Sequence, residues 1–207
     1  MKAKIESQIQ FLKSTENPEI ISNVEKLERH LNNLEGNILH LESVTSRIYF
    51  GAFTKLIDKR FEFSARNSPI TVKKYGATDV INALLNYGYS VLSGEISKFI
   101  HGVGLDPYFG FHHRNHTSFQ SLVYDMMEPF RWLVECAVWN ISKAKSTNRI
   151  SNKQYSHTRK GTVVLEYDLI KLFLELLERT FQKERRYEYR YGKKTNDGLK
   201  SVQEIID

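Results

Sequence analysis

A single cysteine, Cys136, stands in a chain of 207 residues. It can close no internal disulfide and build no thiolate zinc cage, so a reducing cytoplasm is the expected compartment. Glycine (11) and proline (4) are scarce, which argues against a collagen-like, low-complexity or loop-dominated chain. No apolar run approaches the roughly 20 residues a bilayer-spanning helix needs, and no membrane is expected among the partners. The opening Met1-Lys2-Ala3-Lys4-Ile5-Glu6 carries no apolar segment behind its lysines, so secretion is not expected either. A large charge excess is also missing: 30 basic residues against 24 acidic ones leave a net charge of +6. That value permits a polyanionic partner without requiring one. What is present is core-forming material, 41% hydrophobic and 12% aromatic residues. This is enough for one domain spanning residues 1–207.

Helical periodicity dominates the chain. Ile5, Ile9 and Leu12 predict a short helix over 3–13. Asn17-Pro18 reads as a helix start. From there Ile20, Val24, Leu27, Leu31, Leu34, Ile38, Leu41, Val44 and Ile48 recur at spacings of three or four. They predict one long amphipathic helix running on towards Phe61. Residues 64–77 read as a loop. Thr78-Asp79 offers a cap for a helix from Val80 to Ile100 that is apolar on most sides and therefore central. Residues 102–117 form a long connection with three glycines, one proline and three histidines; long ordered loops are often functional. Ser118 is placed to cap a helix over 119–142, which Pro129 must kink, since it cannot donate to the carbonyl of Asp125. A polar connection follows over 143–160, then an apolar-striped helix over 163–182. A last helix begins near residue 198. The only sustained period-two alternation is Arg186–Tyr191. The expected fold class is all-α, a single helical domain.

The densest set of potential ligands is His112, His113 and His116 in the loop, with Asp125 and Glu128 on the helix after it. The two carboxylates, three residues apart, share a helical face among Leu122, Val123, Met126, Met127, Phe130 and Leu133. Carboxylates on so apolar a segment need a cation. Arg131, three residues past Glu128, supplies one in the ordinary reading of a structural ion-pair network. A metal is the other reading. Imidazole and carboxylates without cysteine suit Mg²⁺ or Mn²⁺, the usual partners of phosphate chemistry. On the N-terminal helix Glu28, Glu35 and Glu42 repeat every seven residues beside the apolar stripe. Periodicity does not say which of them, if any, turns inward. The C-terminal third is electropositive: Lys143, Lys145, Arg149, Lys153, Arg159 and Lys160 stand together without an acid. Arg185, Arg186 and Arg190 alternate with tyrosines that can stack on bases. An ordinary solvated helix end explains that tail equally well.

Four segments, in order, carry a family resemblance. Leu41-Glu42-Ser43 with Arg47-Ile48-Tyr49-Phe50 resembles the catalytic glutamate segment of the CRISPR adaptation integrases, CRISPR-associated protein one. Asp79-Val80-Ile81-Asn82-Ala83-Leu84-Leu85-Asn86-Tyr87-Gly88-Tyr89 is similar to the family's core helix. Gly104-Leu105-Asp106-Pro107-Tyr108-Phe109-Gly110-Phe111-His112-His113 resembles its histidine loop. Ser121-Leu122-Val123-Tyr124-Asp125-Met126-Met127-Glu128-Pro129-Phe130-Arg131 is similar to its acidic helix. The resemblance implies a metal-dependent DNA integrase and endonuclease. It would insert short DNA into a CRISPR array by transesterification from a 3′-hydroxyl. It implies Glu42, His113 and Glu128 as ligands of Mg²⁺ or Mn²⁺ and Asp125 as a catalytic neighbour; Glu35-Gly36 offers the alternative register for the glutamate. Double-stranded DNA, both spacer precursor and array, is the implied partner. Arg131, Lys143, Lys145, Arg159, Lys160, Arg185, Arg186 and Arg190 are the DNA-binding candidates.

Family members usually carry a β-rich domain before the helical one. Met1 falls almost where the helical domain begins, so a short form or a fragment is expected. A homo-oligomer, dimer or tetramer, is expected, with the stripe of residues 20–48 as the contact surface. Whether a ferredoxin-like partner protein takes part stays open. Two rivals stay open too. One is a catalytically silent nucleic-acid-binding subunit. The other is a metal-dependent nuclease of different helical ancestry, using His112, His113 and Asp125.

Overall fold

The computed structural model describes residues 1–34, 36–66, 76–111, 120–146, 150–191 and 194–200, the last two strands by their backbone alone. Among these residues the chain is mostly helical: α1 Lys2–Ser14, α2 Ile21–Asn32, α3 Ile38–Leu56, α4 Val80–Gly102, α5 Ser121–Met127, α6 Arg131–Ser142 and α7 Tyr167–Gln182. Two antiparallel hairpins complete it: β1 Tyr155–His157 with β2 Val163–Leu165, and β3 Arg185–Tyr191 with β4 Lys194–Lys200. No described helix is long and apolar enough to cross a membrane.

Helix starts follow the capping residues. The Asn17 side chain accepts from the Glu19 amide at 2.9 Å, and Pro18 opens a 3₁₀ turn that feeds α2. Asp79 accepts from the Asn82 amide at 2.8 Å and caps α4. The expected long helix, however, is two. Its periodicity survives the break because Leu31, Leu34 and Ile38 keep helical spacing across it. Asn33 leaves helical geometry, Gly36 takes a φ of +100° that a side chain would resist, and the Asn37 side chain restarts α3 by accepting from Leu39 and His40. The bend folds α3 back onto α2. Asn23 donates to the Ile48 carbonyl at 3.1 Å, and Lys55 reaches the Glu19 carbonyl at 3.0 Å. Ile20, Val24, Leu27 and Leu41 are buried by this pairing. The stripe expected to face a second subunit is therefore largely used inside the chain, with Leu34, Ile38 and Leu39 left exposed at the bend.

The other departures lie in the second half. The basic connection contains β1, and β2 occupies the first residues of the helix expected from 163. Arg186–Tyr191 is a strand, as its alternation allowed, and the region expected to start a final helix at 198 pairs as β4; residues 201–207 lie outside the described set. The Ser118 cap also lies outside it, and α5 begins at Ser121. The kink at Pro129 is present as a 3₁₀ turn, Glu128–Phe130, between α5 and α6.

The core centres on α4, whose Ile81, Leu84, Leu85, Leu92, Ile96 and Ile100 are buried. Phe11, Phe53, Phe63 and Trp139 form an aromatic cluster between α1, α3 and α6. Gly88 sets the approach of α4 to its neighbours. A methyl group there would stand inside the van der Waals shell of Val134 and 3.2 Å from the Phe173 ring. Gly88→Ala gains about 1 kcal/mol of helix propensity but overpacks a site where both neighbours are fully buried, at a cost of about 1–3 kcal/mol. A net drop in melting temperature is expected by calorimetry. An unchanged or raised value would contradict this packing.

Candidate active site

Helix α1 carries a second row of residues beside its apolar stripe: Lys4, Gln8 and Phe11, all buried. Lys4 lies in the first turn and its side chain is 8% exposed. Its ammonium stands 2.8 Å from Glu42 Oε1, in the first half of α3, and 2.7 Å from Glu128 Oε2, in the turn at Pro129. Two carboxylates far apart in sequence thus converge on one cation. The other Glu128 oxygen accepts from Arg131 Nη1 at 2.8 Å. Burial alone would push the Glu128 carboxyl up. The adjacent Arg131 and Lys4 charges more than reverse this and hold it below the ordinary glutamate value.

Arg131 ties this pair to a deeper one. Its guanidinium lies 4.2 Å from the centre of the Tyr89 ring. The Tyr89 hydroxyl donates to Glu135 Oε1 at 2.7 Å, and the Tyr49 hydroxyl donates to Oε2 of the same carboxylate. Glu135 is 1% exposed, and burial raises its carboxyl above the usual range despite both tyrosines. Both phenols are raised as well, first by burial and then by Glu135. The geometry follows from helical repeats: Tyr49 lies two turns after Glu42 on α3, and Glu135 lies one turn after Arg131 on α6.

Asp125 sits one turn before Glu128 but faces a different task. It accepts from the Phe111 amide, and a Cβ on Gly110 would come 2.9 Å from its Oδ2. The Leu122 amide donates to the Pro107 carbonyl at 2.9 Å. Residues 107–111 are therefore laid against α5 just ahead of the histidines. His112, His113 and His116 lie outside the described residues, as does Glu35.

Of the remaining candidates, Arg131 is engaged by Glu128, one of the two pairings this spacing offers, and by the Tyr89 ring. Lys143 lies over the Trp139 ring, its Nζ 4.4 Å from the centre. Lys145, Arg159 and Lys160 are exposed, the last two between β1 and β2. Arg185, Arg186 and Arg190 lie on β3. Among the heptad glutamates, Glu28 pairs with Lys13 at 2.6 Å on the exposed flank, while Glu42 turns inward.

Two charged members of the network were not anticipated. Lys4 had a signal, a charged residue stepping with Gln8 and Phe11 along a helix. Glu135 had one too, a lone carboxylate within Leu133–Val138. The donor set suits a hard divalent cation: two carboxylates already converge on a single positive charge. No group of three His, Cys, Asp or Glu side chains meets among the described residues, so a third protein ligand would come from outside them.

The chain is similar to known proteins over most of its length. CRISPR-associated endonuclease Cas1 1 of Archaeoglobus fulgidus is 32% identical over 152 residues, 63% of this chain and 44% of the relative. The protein of the same description from Thermodesulfovibrio yellowstonii is 31% identical over 166 residues, 80% of this chain and 48% of the relative. The chain thus spans rather less than half the length of these relatives. A casposase bound to integration product superposes with a TM-score of 0.75 at 27% identity, over 99% of this chain and 54% of the casposase. Residues 1–179 match the family model described as CRISPR associated protein Cas1, and the chain belongs to that family.

Proposed function

We propose that the chain is the helical catalytic part of a metal-dependent DNA integrase of CRISPR adaptation, with residues 1–207 forming one catalytic domain. The observation that carries this reading is the convergence of Glu42 and Glu128 on one cation. Membership of the Cas1 family and the likeness to a casposase bound to integration product support it. Glu42 and Glu128 would hold Mg²⁺ or Mn²⁺, with His113 as third ligand. The ion would neutralise charge on the scissile phosphate and on the leaving oxygen.

The rest is work for the chain's own side chains. Arg131 fixes one oxygen of Glu128 and leaves the other directed at the Lys4 ammonium, where the ion would be held. Asp125 holds the Phe111 amide, which positions the start of the segment carrying His113. Lys143, Lys145, Arg159, Lys160 and the arginines of β3 bind phosphates with little sequence reading. In the reaction a 3′-hydroxyl forms a new bond to the target phosphorus as the bond to the displaced 3′-oxygen breaks, so no external energy source is needed.

The test is label transfer from a short duplex with free 3′-hydroxyls into a supercoiled CRISPR-array plasmid, run in Mn²⁺, Mg²⁺ and EDTA. Transfer with either metal and none in EDTA is expected. Cutting of the plasmid without joining would replace integrase by nuclease. One observation favours a second reading: Lys4 and Arg131 already neutralise both glutamates, as a purely structural network would. A silent DNA-binding subunit would bind DNA in a salt-sensitive way, ignore EDTA and tolerate Glu42→Ala.

A further inference from the structure

Lys4 is the least expected member of the cluster, because its ammonium stands where the two proposed ligand carboxylates meet. It is 2.8 Å from Glu42 and 2.7 Å from Glu128, and its side chain is 8% exposed. A charge so enclosed is held only by what surrounds it. Both glutamates are themselves largely enclosed, at 23% and 15% side-chain exposure. Arg131 sits on the other Glu128 oxygen, and Lys4 contacts both carboxylates and offsets their mutual repulsion.

We infer that Lys4 is a built-in counter-ion that holds the two glutamates together before the divalent cation arrives and competes with that cation for the same oxygens. The inference rests on the proposed role of Glu42 and Glu128 as metal ligands. Two positive charges cannot share one pair of oxygens at contact distance without strong repulsion, so metal binding moves the Lys4 ammonium off at least one carboxylate. The lysine has the reach to do this. Its four-carbon stem is flexible and its ammonium is a point charge without fixed hydrogen-bond geometry. An arginine there would lock both carboxylates in a planar fork instead. Lys4 is in this sense a positioning residue: it keeps the site assembled and sets how tightly metal binds, without touching DNA.

The test compares the wild type with Lys4→Met, Lys4→Gln and Lys4→Arg, reading free Mn²⁺ by electron paramagnetic resonance and melting temperature in EDTA and in Mn²⁺. Lys4→Met is expected to melt lower than the wild type in EDTA, to bind Mn²⁺ about tenfold or more tightly, and to show the larger Mn²⁺-induced rise in melting temperature. Lys4→Gln keeps a polar head and serves if the methionine variant fails to fold; it moves in the same direction. Lys4→Arg keeps the charge and gains no affinity. Unchanged or weaker Mn²⁺ binding in both neutral variants, with wild-type binding abolished by Glu128→Gln, overturns the competition alone. Absence of Mn²⁺ binding from every protein, wild type included, overturns the metal-site reading and this inference with it.

Discussion

Glu128→Ala and Glu42→Ala are each expected to reduce label transfer into the array plasmid by at least about a hundredfold, with the salt-sensitive DNA binding expected of the proposed integrase retained. Removing one preorganised stabiliser of developing charge costs about that much in other systems, and each substitution removes one of only two described carboxylates at the convergence point. The two variants should differ in stability. Glu128 is gripped by Lys4 and Arg131 together, so its loss leaves two enclosed cations short of a partner, and a cost of about 3–5 kcal/mol is expected. Glu42 leaves Lys4 still paired with Glu128, and the cost is smaller. Glu128→Gln keeps the shape and serves where the alanine variant is too unstable to assay. Transfer at the wild-type level in Glu42→Ala and Glu128→Gln would remove both residues from the chemistry.

Glu135→Ala is expected to have the second large effect, on folding. It leaves the hydroxyls of Tyr49 and Tyr89 without their acceptor and opens a cavity in α6. A loss of about 3–5 kcal/mol is expected, about 10 °C in melting temperature for a chain of this size. Glu135→Gln retains an acceptor and loses less. It also exposes a pH effect. The Glu135 carboxyl is raised in the folded state, above all by burial, so the folded protein holds its proton more tightly than the unfolded chain does. Its contribution is complete below the ordinary glutamate value and is lost as pH rises through the raised one. Glu128 runs the other way: its carboxyl is lowered, so its contribution is present above the ordinary value and lost as pH falls through the lowered one. The stability of the wild type relative to Glu135→Gln should therefore decline as pH rises above the usual glutamate range. A difference independent of pH would mean that Glu135 titrates as it does in the unfolded chain.

Most of the helical frame could be read from spacing, because caps such as Asn17 and Asp79 and the stripes they precede are local. The family resemblance picked out Glu42 and Glu128, which the fold brings to a single cation. The bend at 33–37 was hidden because a helix pair that re-enters in phase preserves the same periodicity as one long helix. The hairpin β1–β2 was hidden because three-residue strands carry too few alternations to register. Lys4 was overlooked for a different reason. A lysine on an otherwise apolar helix face reads as a solvated edge until the partner carboxylates, dozens of residues away, are known to fold onto it. Tyr49, Tyr89 and Glu135 come from three helices, so no spacing within one segment could have joined them.

The 3₁₀ turn at Pro129 separates two mechanical domains of responsibility. Asp125, before it, holds the Phe111 amide; Glu128, Arg131 and Glu135, from the turn onward, hold the ion network. Because proline donates nothing back to Asp125, α5 and α6 are joined at this turn by one backbone hydrogen bond fewer than an unbroken helix would have. The contact to Phe111 can then shift with less disturbance of the carboxylate geometry. An unbroken helix would have forced the two to evolve as one rigid rod.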